Sequence, residues 1–164
     1  MGSDALSGSG PGGFDPARLT AALAAVPGDA WSQPSTFAVT KVHEGYRSLS
    51  VVIGGNLQPV AAGFGFVIDH FAPVWSAFLA WIEPGGFVRK HRDAGPYRER
   101  WHVPIVTAGL TTGIPGEVGV PFQVHHWEWH DVDNPTDHPR IHLIVDRVAI
   151  ANPAKTPWTM FQEA

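Results

Sequence analysis

The chain has 164 residues, a formal net charge of −4, 44% hydrophobic and 16% charged residues, 18 glycines, 15 prolines and no cysteine. The length suits one domain with a real core, and only 11 Lys and Arg is too little basic charge to displace counterions from a nucleic-acid backbone. The absence of cysteine excludes disulfides, thiol nucleophiles and Cys-based zinc or iron–sulfur sites, which leaves His, Asp and Glu as metal donors suited to Fe(II), Mn(II) or Zn(II).

Residues 1–13 are Gly/Ser-rich and are expected to be a flexible leader, with residues 14–164 forming a single domain. No apolar run approaches the about 18 residues of a membrane span. The N-terminus lacks the basic-then-apolar order of a signal peptide. The expectation is a soluble, cytoplasmic protein with no nucleic-acid or membrane partner.

Asp15-Pro16 starts a helix, with Asp15 as N-cap and Pro16 in the first turn. Leu19, Leu23 and Val26 give it an apolar face suited to covering a sheet. Residues 28–34 read as a loop. Residues 36–42 and 48–53 read as strands joined by a turn through Glu44-Gly45. Residues 54–65 are irregular, and 69–75 suggest a short helix despite Pro73. Residues 76–83 and 87–92 flank Pro84-Gly85-Gly86 and read as a β-hairpin. Strands are expected at 101–107, 122–127 and 141–148, with a Gly-rich loop at 109–119 as a candidate lid and a polar turn containing Asn134-Pro135. One or two helices followed by about eight short strands predict an antiparallel, mainly β fold, either a jelly roll or a plain β-sandwich.

Seven of the nine histidines fall between His91 and His142. His91-Arg92-Asp93 puts two potential ligands two apart at a strand end, where alternate residues share a face. His130 is the candidate third. Two histidines and one carboxylate leave three open positions on an ion, as non-haem Fe(II) oxygenases require. Arg140 opens an apolar strand, and a buried guanidinium there calls for an anion that its planar fork can meet. Arg100 and His102 alternate on the strand after the His-x-Asp turn and can add donors. His125 and His126 read as core or supporting histidines. Asn134 should bond backbone in its turn. His142 shares a face with Arg140. Trp127 and Trp129 read as core or rim aromatics, and Trp31, His43, Tyr46 and Arg47 as loose substrate-side candidates.

Four segments together resemble the aspartyl/asparaginyl β-hydroxylase family: His91-Arg92-Asp93, Arg98-Glu99-Arg100-Trp101-His102-Val103-Pro104, His130-Asp131-Val132-Asp133-Asn134 and Pro139-Arg140-Ile141-His142-Leu143. The likeness spans about residues 78–147 and follows the family's order and spacing. It implies a double-stranded β-helix (jelly-roll, cupin-like) core with flanking N-terminal helices. It also implies Fe(II), 2-oxoglutarate as co-substrate and O₂, with release of succinate and CO₂. By the same resemblance His91 and His130 bind iron, while Arg100, His102 and Arg140 bind 2-oxoglutarate. Some members have Gly where this chain has Asp93; the carboxylate here favours the full triad. The expected function is hydroxylation of a C–H bond in a free amino acid or an Asp/Asn-type residue of a peptide. The alternatives are a non-catalytic cupin-like module that binds metal and carboxylate, and a zinc hydrolase, which would have no need of Arg140.

Overall fold

The computed structural model describes residues 12–32, 43–92, 98–107, 116–125 and 128–148. The expected leader up to residue 11, the expected strand at 36–42, Asp93, most of the expected lid, His126 and Trp127 lie outside the described residues. Two helices, α1 (Pro16–Ala24) and α2 (Gly65–Phe71), accompany seven strands: β1 (His43–Ile53), β2 (Asn56–Leu57), β3 (Val74–His91), β4 (Arg98–Val106), β5 (Phe122–Val124), β6 (His130–Asp133) and β7 (Arg140–Val148). The strands form one antiparallel sheet in the order β2-β1-β3-β7-β4-β5, with β6 also on β3. The fold is therefore mainly β, of the jelly-roll, cupin-like type.

Asp15 caps α1 as the sequence predicts, its Oδ1 accepting from the Ala17 N–H at 3.0 Å, with Pro16 in the first turn. Leu19 and Ala22 are buried, and Leu23 and Val26 pack beside them. They lie on one face of the sheet with Phe64, Val67 and Phe71, against Leu49 and Val51 of β1, Ala77 and Leu79 of β3, Val103 and Ile105 of β4, and Ile141, Leu143 and Val145 of β7. Strand residues two apart share a face, so this apolar set fixes what the other face carries. Reading the register across the sheet, that opposite face holds Ser76, Phe78, Ala80 and Ile82 of β3. Beside them lie Asp146, Ile144, His142 and Arg140 of β7, and Arg100, His102 and Pro104 of β4. It is polar, yet His102, Arg140, His142 and Asp146 are buried.

Curvature buries it. Ile82 of β3 and Val132 of β6 are buried together with Phe122 and Val124 of β5 packed against them. In the sheet β3 and β5 are separated by β7 and β4, which in a flat sheet would hold them about 14 Å apart. The sheet must curl to close that gap, and the polar face becomes the inside of the curl.

Three sequence expectations are corrected here. The Pro84-Gly85-Gly86 segment does not reverse the chain; β3 runs through it as one 18-residue strand. Gly85 takes φ 72°, a region open to glycine, and the Gly85 N–H donates to the Asn134 carbonyl at 2.8 Å while Gly86 accepts from the Asn134 N–H at 2.9 Å. The strand bends and keeps its partners. Glu44-Gly45 likewise lies within β1, where a register shift between Glu44 and Tyr46 marks a bulge, with Gly45 at φ 63°. The two irregularities face each other: a Cβ on Gly86 would lie 2.8 Å from the Glu44 carbonyl oxygen. The expected helix at 69–75 sits earlier, at Gly65–Phe71, because Pro73 and the residue before it are unsuited to helix.

Candidate metal and carboxylate site

His91 ends β3 and His130 begins β6, and the two are cross-strand partners. Their ring centroids are 4.3 Å apart. Each ring is anchored the same way: His91 Nδ1 is 2.7 Å from the Arg89 carbonyl oxygen and His130 Nδ1 is 2.9 Å from that of Glu128. A carbonyl only accepts, so each Nδ1 carries a proton, and in the neutral ring it is Nε2 that presents the lone pair. That is the arrangement by which an imidazole is oriented and made more basic for a metal ion. Among the described residues no group of three or more His, Asp or Glu is assembled for an ion. The expected third donor, Asp93, is outside them. The two described histidines fit a borderline divalent ion such as Fe(II), which takes imidazole nitrogen readily.

The polar inner face continues from this pair. Arg140 is 3% exposed and His142 1%. Burial brings the Arg140 pKa down to about 10, opposed by the nearby Asp133 carboxylate, so the guanidinium is charged at neutral pH. Its Nη2 lies 3.3 Å from His142 Nδ1, and His102 Nδ1 lies 3.4 Å from the same atom. His102 and His142 are both held well below the usual imidazole range. For His102 burial is the first cause, followed by the charges of His142, Arg100, Arg140 and His130; for His142 it is burial and then Arg140. His130 and Arg140 thus both act on His102, which lies between the histidine pair and the arginine electrostatically.

Arg100 faces the same interior but meets a carboxylate of the protein. Its Nε donates to Asp146 Oδ1 at 2.8 Å and its Nη2 to Oδ2 at 3.0 Å, with Ser76 Oγ donating to Oδ2 at 3.1 Å. The register places Arg100 and Asp146 directly opposite. Sequence reasoning gave Asp146 no role, although an acidic residue on the same alternation as Arg140 and His142 in an apolar strand was a usable signal.

The other candidates are placed as follows. Asn134 is fully buried and bonds backbone beyond its own turn, donating to the carbonyls of Ile82 and Glu83 at 3.1 and 3.2 Å and of His138 at 2.6 Å. It ties the β3 bend to the β6–β7 connection. His43 lies near enough to His91 for the two charges to interact, and burial followed by His91 lowers its pKa against a backbone hydrogen bond. Its ring sits 5.0 Å from that of Tyr46. Trp129 is exposed beside His130, with the Arg92 guanidinium 5.3 Å from its ring centre, a rim position. Arg47 pairs with Glu83 at 3.0 Å, Trp31 packs on Trp81, and His125 reaches the carboxylate of Glu128 at 3.5 Å.

No family model matches the chain, and no curated protein matches it. Solved structures similar to it include a cupin-2 domain from Rhodospirillum rubrum, at 10% identity and TM-score 0.49 over 79% of this chain and 74% of that one. A cupin 2 conserved barrel domain protein from Salinispora arenicola aligns at 16% identity and TM-score 0.42 over 73% and 89%. A prolyl-4-hydroxylase from Pseudomonas putida aligns at 16% identity and TM-score 0.49 over 82% and 86%. Among the described residues no helix is long and apolar enough to cross a membrane.

Proposed function

We propose that this chain is an Fe(II)/2-oxoglutarate-dependent oxygenase that hydroxylates a C–H bond of an amino acid or of an Asp/Asn-type residue in a peptide. The observation that carries the reading is the His91–His130 pair, each ring turned by its Nδ1 so that Nε2 can take a metal. The resemblance of four motifs to the aspartyl/asparaginyl β-hydroxylase family supports it, as does the buried, charged Arg140 on the same inner face. His91 and His130, with Asp93, would hold iron. Arg140, with His102 and Arg100, would hold 2-oxoglutarate. With these groups bound, 2-oxoglutarate, O₂ and R–H are converted to succinate, CO₂ and R–OH.

The chain's own contribution is positional. His91 and His130 are fixed by backbone carbonyls before any ligand arrives. Arg140 offers a charge in a site from which water is largely excluded, where a carboxylate is held more strongly than at a surface. His102 and His142 stay neutral beside it and add no competing positive charge. The apolar cluster of Ile82, Val132 and Phe122 shields the inner face from bulk water.

The test is incubation of the protein with Fe(II), 2-oxoglutarate and ascorbate under air, with candidate amino acids and peptides, followed by mass spectrometry. Iron-dependent succinate together with a product 16 mass units heavier supports the reading. Binding of metal and 2-oxoglutarate with no succinate from any candidate would favour the non-catalytic carboxylate-binding module.

A further inference from the structure

Arg140, at the start of β7, has a long side chain, and a carboxylate clamp works only if the plane of its guanidinium is set before the ligand arrives. His142 lies two residues along the same strand, on the same face, with Nδ1 3.3 Å from Arg140 Nη2. A guanidinium has only donors, so His142 Nδ1 is the acceptor and the proton of the neutral ring is on Nε2. The same Nδ1 lies 3.4 Å from His102 Nδ1. The His142 nitrogen has a single lone pair, which Arg140 takes, so the His102 ring meets His142 as a packing contact, edge to face with ring centroids 5.6 Å apart. The arginine therefore sets the tautomer of the buried His142 ring. His142 Nε2 is buried and has no hydrogen-bond partner, so the ring is held through Nδ1 and by packing, and its acceptor nitrogen is the polar atom in use.

We propose that His142 is a positioning residue: its neutral, Nε2-protonated ring holds the Arg140 guanidinium in the orientation that receives the distal carboxylate of a dicarboxylate co-substrate. The His102 ring packs edge to face on the His142 ring. The identity of the anion rests on the oxygenase reading; the tautomer and the Arg140 contact do not. A protonated His142 would present an N–H to a guanidinium, and both burial and the Arg140 charge disfavour that state.

The design separates the two ring nitrogens. An Asn side chain places its oxygen where Nδ1 was, and a Gln reaches the position of Nε2. Binding of 2-oxoglutarate is measured by calorimetry on Mn(II)-loaded protein without O₂, for wild type, His142→Asn, His142→Gln, His142→Phe and Arg140→Ala. His142→Asn should stay within about threefold of wild type. His142→Gln and His142→Phe should weaken binding about ten- to a hundredfold, the scale of a lost hydrogen bond to a charged group, with Mn(II) affinity unchanged. In a double variant with Arg140→Ala, measured alongside, His142→Phe should add little. In the metal-free protein, long-range ¹⁵N correlation should show His142 protonated on Nε2. Unchanged 2-oxoglutarate affinity in His142→Phe and His142→Gln overturns the proposal, as does an Nδ1-protonated His142. Failure of the wild type to bind 2-oxoglutarate sinks the oxygenase reading instead, while the ¹⁵N result still decides the Arg140 contact.

Discussion

Arg100 and Asp146 face each other across β4 and β7 and form a two-point ion pair, with side-chain exposures of 13% and 1%. Removing one partner of such a pair leaves the other charge buried and uncompensated, at about 3–5 kcal/mol, whereas replacing both with apolar residues of similar size is often nearly neutral. Asp146→Asn is therefore expected to lower the unfolding free energy by about 3 kcal/mol, and Arg100→Met/Asp146→Leu to recover most of it in denaturant titrations. The same double variant tests the resemblance's assignment of Arg100 to 2-oxoglutarate. A higher 2-oxoglutarate requirement in a stable double variant supports a binding role; an unchanged one leaves Arg100 a structural clamp.

Loss of either histidine of the proposed metal pair removes a donor that the backbone has already oriented. His91→Ala and His130→Ala are expected to abolish turnover. Asp93→Gly should retain a small activity that rises with added Fe(II). Asp93→Glu should do worse than its chemistry suggests, because the longer arm intrudes on the open coordination positions. Wild-type behaviour of Asp93→Gly across an iron titration would mean a two-histidine site.

Arg140→Ala should raise the 2-oxoglutarate requirement by about two orders of magnitude or more, the scale of losing a charge-assisted two-point contact. Arg140→Lys should restore only part, since an ammonium cannot form the fork. A 2-oxoglutarate titration that superimposes for Arg140→Ala and wild type would remove the clamp.

The buried histidines make stability depend on pH. Burial, and after it neighbouring charge (His142, Arg100, Arg140 and His130 for His102; Arg140 for His142), holds the pKa of both rings well below the usual imidazole range. The unfolded chain takes up protons below about 6.5 that the folded one refuses, so stability is full above that pH and falls as the pH drops through it. Each ring can contribute a slope of up to about 1.4 kcal/mol per pH unit. Urea unfolding of metal-free protein between pH 7.5 and 5 should show the loss, with a shallower slope in His142→Asn. Equal slopes would clear His142 as a source.

Asn134 bonds three carbonyls on two segments of chain, so its loss leaves several buried acceptors unmet. Asn134→Ala should cost about 2–4 kcal/mol, and Asn134→Asp at least as much, because a carboxylate repels the carbonyls that the amide satisfied. Thermal unfolding measures both. A change below about 0.5 kcal/mol would mean that the β3 bend holds without it.

What the sequence made legible follows from which interactions are local. Asp15-Pro16 marks the helix start through contacts within one turn, and the alternation along residues 141–148 assigns β7 its two faces. The segment at Pro84-Gly85-Gly86 carries every local sign of a reversal, yet its course is set by Gly45 opposite it and by Asn134 about fifty residues away. For the site, spacing brought out His91, His130 and Arg140. It could not reveal that Arg100 lies opposite an internal carboxylate, or that His142 touches Arg140, because both depend on cross-strand register and rotamer.

β3 carries Ile82 opposite Arg140 and His91 opposite His130, so one strand spans from the Arg140 position to the His91–His130 pair. The bite between them is therefore a property of chain length. Adding one residue at the bend would turn every side chain beyond it to the other face, taking His91 away from its partner. Adding two would restore the face but carry His91 about 6.6 Å further along. Point substitutions can tune what each end holds; the span between them changes only in steps of whole residues.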